Sequence, residues 1–359
     1  MGLRYPTGMD YYSLLGPLVR LLPAESAHNA AICALKAGII PPTTDKTYPT
    51  LESQCFGLTF KNPVGMAAGF DKNAEVVDAL LTQGFGFVEA GTVTPLAQSG
   101  NPHPRMFRLA DDDAVINRLG FNNKGMHAFA QNLKQRKKSG IVGANISKNK
   151  DSLDATYDYA TSLEAVYDYA DYITINVSSP NTVGLRDLQQ KEALSALMQA
   201  MGKKRDELAA KYGKRKPVLY KIAPDLTAQD KEDIVEVALA HRIDGLIVTN
   251  TTITRPPNLR SQHRNERGGL SGRPLFVLST ETLRDIYKLS HGKIPLVGVG
   301  GIASAEDAYA KIKAGASLVQ LYTALVYQGF DLVQRINEGV VRLLELDGFK
   351  NISEAVGKE

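Results

Sequence analysis

The chain has 359 residues, and 42 lysines and arginines against 38 aspartates and glutamates leave a formal net charge of +4. Hydrophobic residues at 43% and charged residues at 22% exclude wholesale disorder, and so slight a basic excess, with no basic block, gives no argument for a nucleic-acid binder. Cys33 and Cys55 are the only cysteines, which excludes a disulfide framework and a cysteine-built metal site and points to a reducing compartment. No apolar run approaches the roughly 18 residues that span a bilayer. The N-terminus lacks the order of a secretion signal, so an intracellular protein is expected. Length alone admits two or three domains, or one α/β barrel with additions.

Residues 1–46 come first. Pro17 and Pro23 break any single long helix there, and 24–37 reads as a helix closed by Gly38, with Ala27, Ala31 and Leu35 at four-residue spacing. Residues 54–61 read as a small hairpin turning at Gly57. Eight short apolar runs follow, at 62–69, 86–93, 141–147, 171–178, 217–224, 244–251, 294–301 and 316–323. Their interiors are continuous in β-branched and small residues, the mark of strands buried on both faces. Helical patterns lie between them. The pattern at 227–240 opens on a threonine and puts Ile234, Val235, Val237 and Ala238 on one side. The pattern at 304–314 opens Ser-Ala-Glu-Asp and stops before Gly315. Eight strands alternating with helices predict an α/β fold, a (β/α)8 TIM barrel. Long loops after the second strand (94–121) and the sixth (252–275) are of the kind that carries function. A near-repeat, SLDATYDYA at 152–160 and SLEAVYDYA at 162–170, occurs only twice and signals no solenoid.

Barrel enzymes keep their chemistry at the C-terminal ends of the strands. Those ends carry Lys72, Thr92, Asn145, Asn176, Lys221, Thr249-Asn250-Thr251, Gly300-Gly301 and Tyr322-Thr323. Glycines and hydroxyls after strands seven and eight, ahead of a helix start, fit a phosphate site, to which Gly269 and Gly272 add. Lys221, inside a strand, needs a partner: a Schiff-base substrate, an anionic cofactor group or a neighbouring carboxylate. Lys72 has Asp71 beside it. Ser179 sits in Asn176-Val-Ser-Ser-Pro-Asn-Thr182, a tight loop without the G-x-S-x-G elbow of common hydrolases. No HExxH, CxxC or paired-histidine spacing suggests a metal, and no GxGxxG after the first strand suggests bound NAD.

AAGFDKN (67–73), EAGTVTP (89–95), NPHPRMFRL (101–109), INRLGFNN (116–123), GANISKNK (143–150), INVSSPNTVGLRDLQ (175–189), KIAPDL (221–226), VTNTT (248–252), GGLSGRPL (268–275), VGVGGI (297–302) and ASLVQLYT (316–323) together resemble the quinone-dependent, membrane-associated class of dihydroorotate dehydrogenases. The similarity runs from about Tyr11 to about Leu344. The resemblance implies FMN in the barrel, oxidation of dihydroorotate to orotate in pyrimidine biosynthesis, and ubiquinone or menaquinone as acceptor. Positions matching the family's FMN site are Ala68, Gly69, Lys72, Thr92, Asn145, Asn176, Lys221, Thr249, Gly272, Gly301, Tyr322 and Thr323. Those matching its substrate site are Lys72, Asn117, Arg118, Leu119, Gly120, Phe121, Asn176, Asn181, Asn250 and Thr251. Ser179 matches the catalytic base, with Thr182 and Phe121 as its relay, and the 177–188 loop reads as a lid. His28 and Arg108 match the quinone tunnel, with Tyr322 at its flavin end.

Two features carry the class. The soluble class has cysteine where Ser179 stands, and it lacks the long N-terminal extension. The resemblance thus implies an N-terminal helical membrane and quinone domain (1–46) and a catalytic barrel (47–359). It also implies a monomer bound peripherally at the cytoplasmic face of the inner membrane. Leu14, Leu15, Leu18, Val19, Leu21 and Leu22 would lie in that interface or pack on the barrel. Arg4, Arg20, Lys36 and Lys46 against Asp10, Glu25 and Asp45 give little pull toward anionic lipid. Rival readings are the soluble class using fumarate or NAD, a flavin-free phosphate-binding barrel such as a Schiff-base aldolase, and a quinone- or nucleotide-binding barrel without catalysis. Intact Ser179, Lys72 and Lys221 speak against the last.

Overall fold

A computed structural model of the chain describes residues 11–43, 46–137 and 140–359. Arg4, Asp10 and Asp45, and the side chains of Leu14 and Leu15, lie outside the described residues. Eight strands close a barrel: β1 (Val64–Met66), β2 (Phe87–Val93), β3 (Ile141–Ile146), β4 (Tyr172–Asn176), β5 (Val218–Ile222), β6 (Gly245–Val248), β7 (Leu296–Val299) and β8 (Ala316–Leu321). Each pairs in parallel with its neighbour in the sequence, and β8 closes on β1. Every apolar run holds one strand. Several runs continue past the ladder, as 244–251 does beyond Val248, because the residues that leave the barrel there form the site.

The caps behave as the residue types dictate. Thr227 Oγ1 accepts the Asp230 N–H at 3.2 Å while the Asp230 carboxylate accepts the Thr227 N–H at 2.8 Å, opening the helix Ala228–Ala240. Ser304 Oγ accepts the Asp307 N–H at 3.2 Å and opens Ala305–Lys313. The hairpin Ser53–Cys55/Leu58–Phe60 places Phe60 edge-on to Phe87, 5.2 Å between ring centres, and Phe87 in turn meets Tyr172 at 6.3 Å. Room for these rings comes from glycines on the strands. A Cβ on Gly65 would lie 2.3 Å from Phe87, and one on Gly143 would lie 2.1 Å from Tyr172.

Above that layer sits the fully buried Glu89 of β2. Its carboxylate accepts from Asn145 Nδ2 (2.7 Å), Tyr172 Oη (3.0 Å), Thr174 Oγ1 (3.1 Å) and Gln320 Nε2 (3.0 Å). Four donors on three strands, β3, β4 and β8, satisfy its lone pairs, as burial of so polar a group requires.

Two features differ from the sequence reading. Pro17 lies inside helix α1 (Tyr11–Val19) and does not break it; it sits near the end, where the lost N–H removes a single bond. Pro23 does separate α1 from α2 (Ala24–Lys36). The two long loops are partly ordered into a three-stranded antiparallel sheet, Met106–Leu109, Ala114–Asn117 and Gly269–Gly272. The near-repeat has no structural counterpart: Tyr157 is exposed on the helix Ala155–Val166, whereas its equivalent Tyr167 is buried. A period of ten does not bring a residue back to the same helix face.

Helix α1 packs on the short helix Leu325–Gln328, and α2 on the strand Met106–Leu109. Tyr12 Oη donates to the Val326 carbonyl at 2.7 Å, and Arg105 makes a bidentate pair with Glu25. Leu18, Leu21 and Leu22 are exposed, so they do not pack on the barrel.

Candidate functional site

A cavity opens at the C-terminal ends of the strands, roofed by the small antiparallel sheet. Its floor is a directional chain of amides. Glu89 draws the Asn145 NH2 toward itself, so Asn145 Oδ1 faces the other way and accepts from Thr92 Oγ1 at 2.6 Å. Thr92 Oγ1 then accepts from Asn176 Nδ2 at 3.0 Å. Asn176 Oδ1 in turn accepts from the Ser178 N–H (3.2 Å) and hydroxyl (3.1 Å). Thr92 and Asn176 line the cavity. Asn145 stands behind them, fully buried, and reaches the cavity only through its partners.

Lys221 projects from β5 into the same cavity. Burial lowers its pKa, and the Glu89 charge opposes that shift. Among the described residues no carboxylate lies within salt-bridge distance of its Nζ and no protein group hydrogen-bonds it. A buried ammonium without a protein acceptor is a seat for an anionic or electron-rich group. Opposite, Gly300 (φ +114°) and Gly301 (φ +77°) follow β7, and Tyr322 and Thr323 follow β8. A Cβ on Gly301 would meet the Phe276 backbone at 2.5 Å, which excludes any other residue there. A Cβ on Gly69 would meet nothing nearer than Tyr322 at 3.8 Å; it would stand in the cavity itself. Thr249 and Gly272 complete this half, with Ala68 beside Gly69.

Ser179 is buried on the facing wall, and among the described residues its Oγ accepts only the Asn181 N–H, at 3.3 Å. Asn181 Nδ2 donates to the Asn117 carbonyl at 3.1 Å, tying the serine loop to the roof sheet. Asn117, Leu119, Gly120 and Phe121 line the cavity from that roof, with Asn250 and Thr251 from the loop after β6. The Thr182 hydroxyl is buried without a partner among the described residues. Arg118 is not brought to the site. It pairs with Glu266 at 2.7 Å and lies 4.5 Å over the Phe107 ring, so the outer face of the roof claims its charge.

Lys72 reaches both ways. It lines the cavity, and its Nζ lies 3.2 Å from His28 Nε2 on α2. His28 Nδ1 is 3.1 Å from Tyr322 Oη. Burial, then the Lys72 charge, hold the His28 pKa well below its ordinary value, so the ring is neutral. A charged Lys72 can only donate; Nε2 therefore accepts and the Nδ1–H donates to Tyr322. Arg108 does not touch the cavity; it donates to the carbonyls of Arg20, at 2.7 Å, and Leu22, pinning the chain between α1 and α2.

Glu89, Gln320 and Ser271 belong to this site or its support and escaped the sequence reading. For Glu89 and Gln320 a signal existed: a carboxylate and an amide inside otherwise apolar strands. Ser271 accepts from Thr323 Oγ1 at 2.8 Å, a contact between chain segments that no local pattern announces.

A family model described as dihydroorotate dehydrogenase matches residues 50–344. The chain belongs to the dihydroorotate dehydrogenase family. It is 52% identical over 354 residues to a protein of Azorhizobium caulinodans named dihydroorotate dehydrogenase (quinone), covering 98% of this chain and 99% of that protein. The mitochondrial protein of that name from Mus musculus is 50% identical over 363 residues, 98% of this chain and 91% of that one. The crystal structure of DHODH from Eimeria tenella in complex with ferulenol superposes with a TM-score of 0.90 at 42% identity, covering 93% of this chain and 95% of that chain. Membership of the dihydroorotate dehydrogenases removes the aldolase and the catalytically silent barrel as readings of Lys221.

Proposed function

We propose that this chain, a dihydroorotate dehydrogenase of the quinone-dependent kind, holds FMN in the cavity, uses Ser179 as base, and hands its electrons to quinone beside the N-terminal helices. The observation that carries the reading is the buried Lys221 side chain, which has no acceptor among the described residues and shares the cavity with the glycine turn after β7 and with Tyr322 and Thr323 after β8. The chemistry that FMN would supply there is a two-electron acceptor for the hydride from C6 of dihydroorotate and a donor to quinone. Lys221 would balance the charge that gathers on the reduced ring. The bare N–H groups at Gly301, Tyr322 and Thr323 would hold the phosphate. The remaining FMN positions are Ala68, Gly69, Lys72, Thr92, Asn176, Thr249 and Gly272, with Asn145 acting through Thr92 and Asn176.

The chain's own work on dihydroorotate is orientation and proton transfer. Asn117, Asn176, Asn181 and Asn250 match its amide edges and reject rings that lack them. Leu119, Gly120, Phe121 and Thr251 close around it, and Lys72 meets its carboxylate. Ser179 takes the C5 proton, with the buried, unpartnered Thr182 hydroxyl as the next acceptor. The division into an N-terminal unit (1–46) and a catalytic barrel (47–359), the monomeric state and the cytoplasmic face of the inner membrane belong to the same proposal. The exposed Leu18, Leu21 and Leu22 support a peripheral contact. No helix among the described residues is long and apolar enough to cross a membrane.

The purified protein is expected to be yellow, to release FMN on denaturation, and to bleach anaerobically with dihydroorotate. A colourless protein that regains no FMN on reconstitution overturns the proposal. Lys221→Met should weaken FMN binding to the apoprotein on the order of 10- to 100-fold, the worth of one charge-assisted contact. Flavin fluorescence titration reads this; unchanged affinity would remove Lys221 from the flavin site.

Lys72 supplies a pH dependence. Burial lowers its pKa to about 8, against the pull of Glu25 and Asp71. Its ammonium is therefore present below pH 8 and lost above it, while the carboxylate of orotate stays ionised throughout. Orotate affinity should be flat up to about pH 8 and then fall roughly tenfold per pH unit. In Lys72→Met it should be weak and flat, as read by flavin absorbance titration between about pH 7 and 9.5.

A further inference from the structure

We propose that Arg186 is a positioning residue for Ser179: one guanidinium locks the peptide that carries the base to the two neighbouring barrel loops. The proposal rests on Ser179 being the base. Arg186 stands at the far end of the loop after β4 and does not line the cavity. Its Nε donates to the Ser178 carbonyl at 3.1 Å, its Nη1 to Asp225 at 2.9 Å and its Nη2 to the Thr251 carbonyl at 3.0 Å. Asp225 lies after β5 and Thr251 after β6, so the fork joins three successive loops. Its two carbonyl acceptors belong to the residue before the base and the residue after Asn250.

Asp225 is fixed from the other side. It accepts from Thr252 Oγ1, from Thr254 Oγ1 at 3.0 Å and from the Ile253 N–H at 3.2 Å. The carboxylate is therefore an anchored post, and the pair is largely buried. The base is the opposite case. Ser179 Oγ has a single long contact, from the Asn181 N–H. Ser178, by contrast, is held at every polar group: N–H and Oγ–H to Asn176, Oγ from Asn250 Nδ2 at 3.0 Å, and carbonyl to Arg186. Ser179 inherits its place from Ser178, and Arg186 holds the end of Ser178 nearest the base. Both ends of the 177–188 loop are thus tied down, and its exposed residues are Val183, Gly184 and Asp187. Lysine cannot replace the fork, since an ammonium keeps the charge toward Asp225 without reaching all three acceptors in fixed geometry.

The test uses the full-length flavin-loaded enzyme and four variants: Arg186→Met, Arg186→Lys, Ser179→Ala and the Arg186→Met/Ser179→Ala double variant. Anaerobic stopped-flow absorbance reads flavin reduction by dihydroorotate and, separately, reoxidation by a short-chain ubiquinone. Arg186→Met is expected to slow reduction about 100-fold, the cost of misplacing a reacting group by roughly 1 Å. Flavin content and reoxidation should stay within about twofold, and Arg186→Lys should recover about tenfold of the loss. Because Arg186 acts through Ser179, the double variant should be no slower than Ser179→Ala. A double variant slower by the product of the two effects overturns the proposal. So does an Arg186→Met enzyme with normal reduction, or one that loses flavin and both half-reactions together. If Arg186→Met does not accumulate, Asp225→Asn takes its place: reduction slowed about tenfold supports the proposal and an unchanged rate overturns it. Normal reduction in Ser179→Ala alone would fell the base assignment itself, and this proposal with it.

Discussion

Ser179→Ala is expected to slow anaerobic flavin reduction by dihydroorotate about 1,000-fold at pH 7 while the protein keeps its flavin. A positioned general base contributes on the order of 100- to 10,000-fold. Among the described residues the other groups near it are the amides of Asn117, Asn181 and Asn250 and the hydroxyls of Thr251 and the buried Thr182, and the Thr251 hydroxyl is turned toward Asn250 Oδ1. Alanine leaves the backbone of the Ser178–Ser179 pair and its anchors intact, so flavin and orotate should bind within a few-fold of normal. The residual rate should rise with pH, because hydroxide then supplies the missing acceptor. A rate within threefold of the unaltered enzyme would remove Ser179 as base.

Deleting residues 1–46 is expected to cost more than 100-fold in quinone turnover and less than about threefold in flavin reduction. The cavity wall begins at Ala67, so no flavin or substrate contact is deleted. What is lost is the face on which His28 meets Lys72 and Tyr322, and the exposed leucines of α1 and the turn after it. The deletion also strips Glu25 from the buried Arg105, so a companion Arg105→Gln change should restore part of the stability; an unpaired buried charge costs about 3–5 kcal/mol. Equal loss of both half-reactions would defeat the assignment of this face to quinone.

Much of the barrel was legible in the sequence because a parallel strand buried on both faces leaves an uninterrupted apolar run, and each run ends where a polar loop begins. The caps at Thr227 and Ser304 were legible for a local reason, a side chain three residues from the N–H it serves. The roof sheet was not, since Ala114–Asn117 pairs with Gly269–Gly272 across some 150 residues of chain and neither strand exceeds four residues. Arg118 follows the cavity residue Asn117 directly, yet on a strand edge consecutive side chains point to opposite faces, and Glu266 and Phe107 hold it outside. Asn145 shows the converse: a polar residue at a strand end that acts one layer below the surface of the site. Leu18, Leu21 and Leu22 were ambiguous because an apolar residue on a short helix reads the same whether it packs inward or faces out. Their exposure is a property of how α1 and the turn after it seat on the barrel.

The central claim is that this cavity oxidises dihydroorotate and that the N-terminal face passes the electrons to quinone. A steady-state dihydroorotate assay comparing ubiquinone, menaquinone, fumarate and NAD as acceptors tests it most directly. Turnover with a quinone at least 100-fold faster than with fumarate or NAD is the expected result, and turnover with fumarate or NAD that equals or exceeds it would contradict the account.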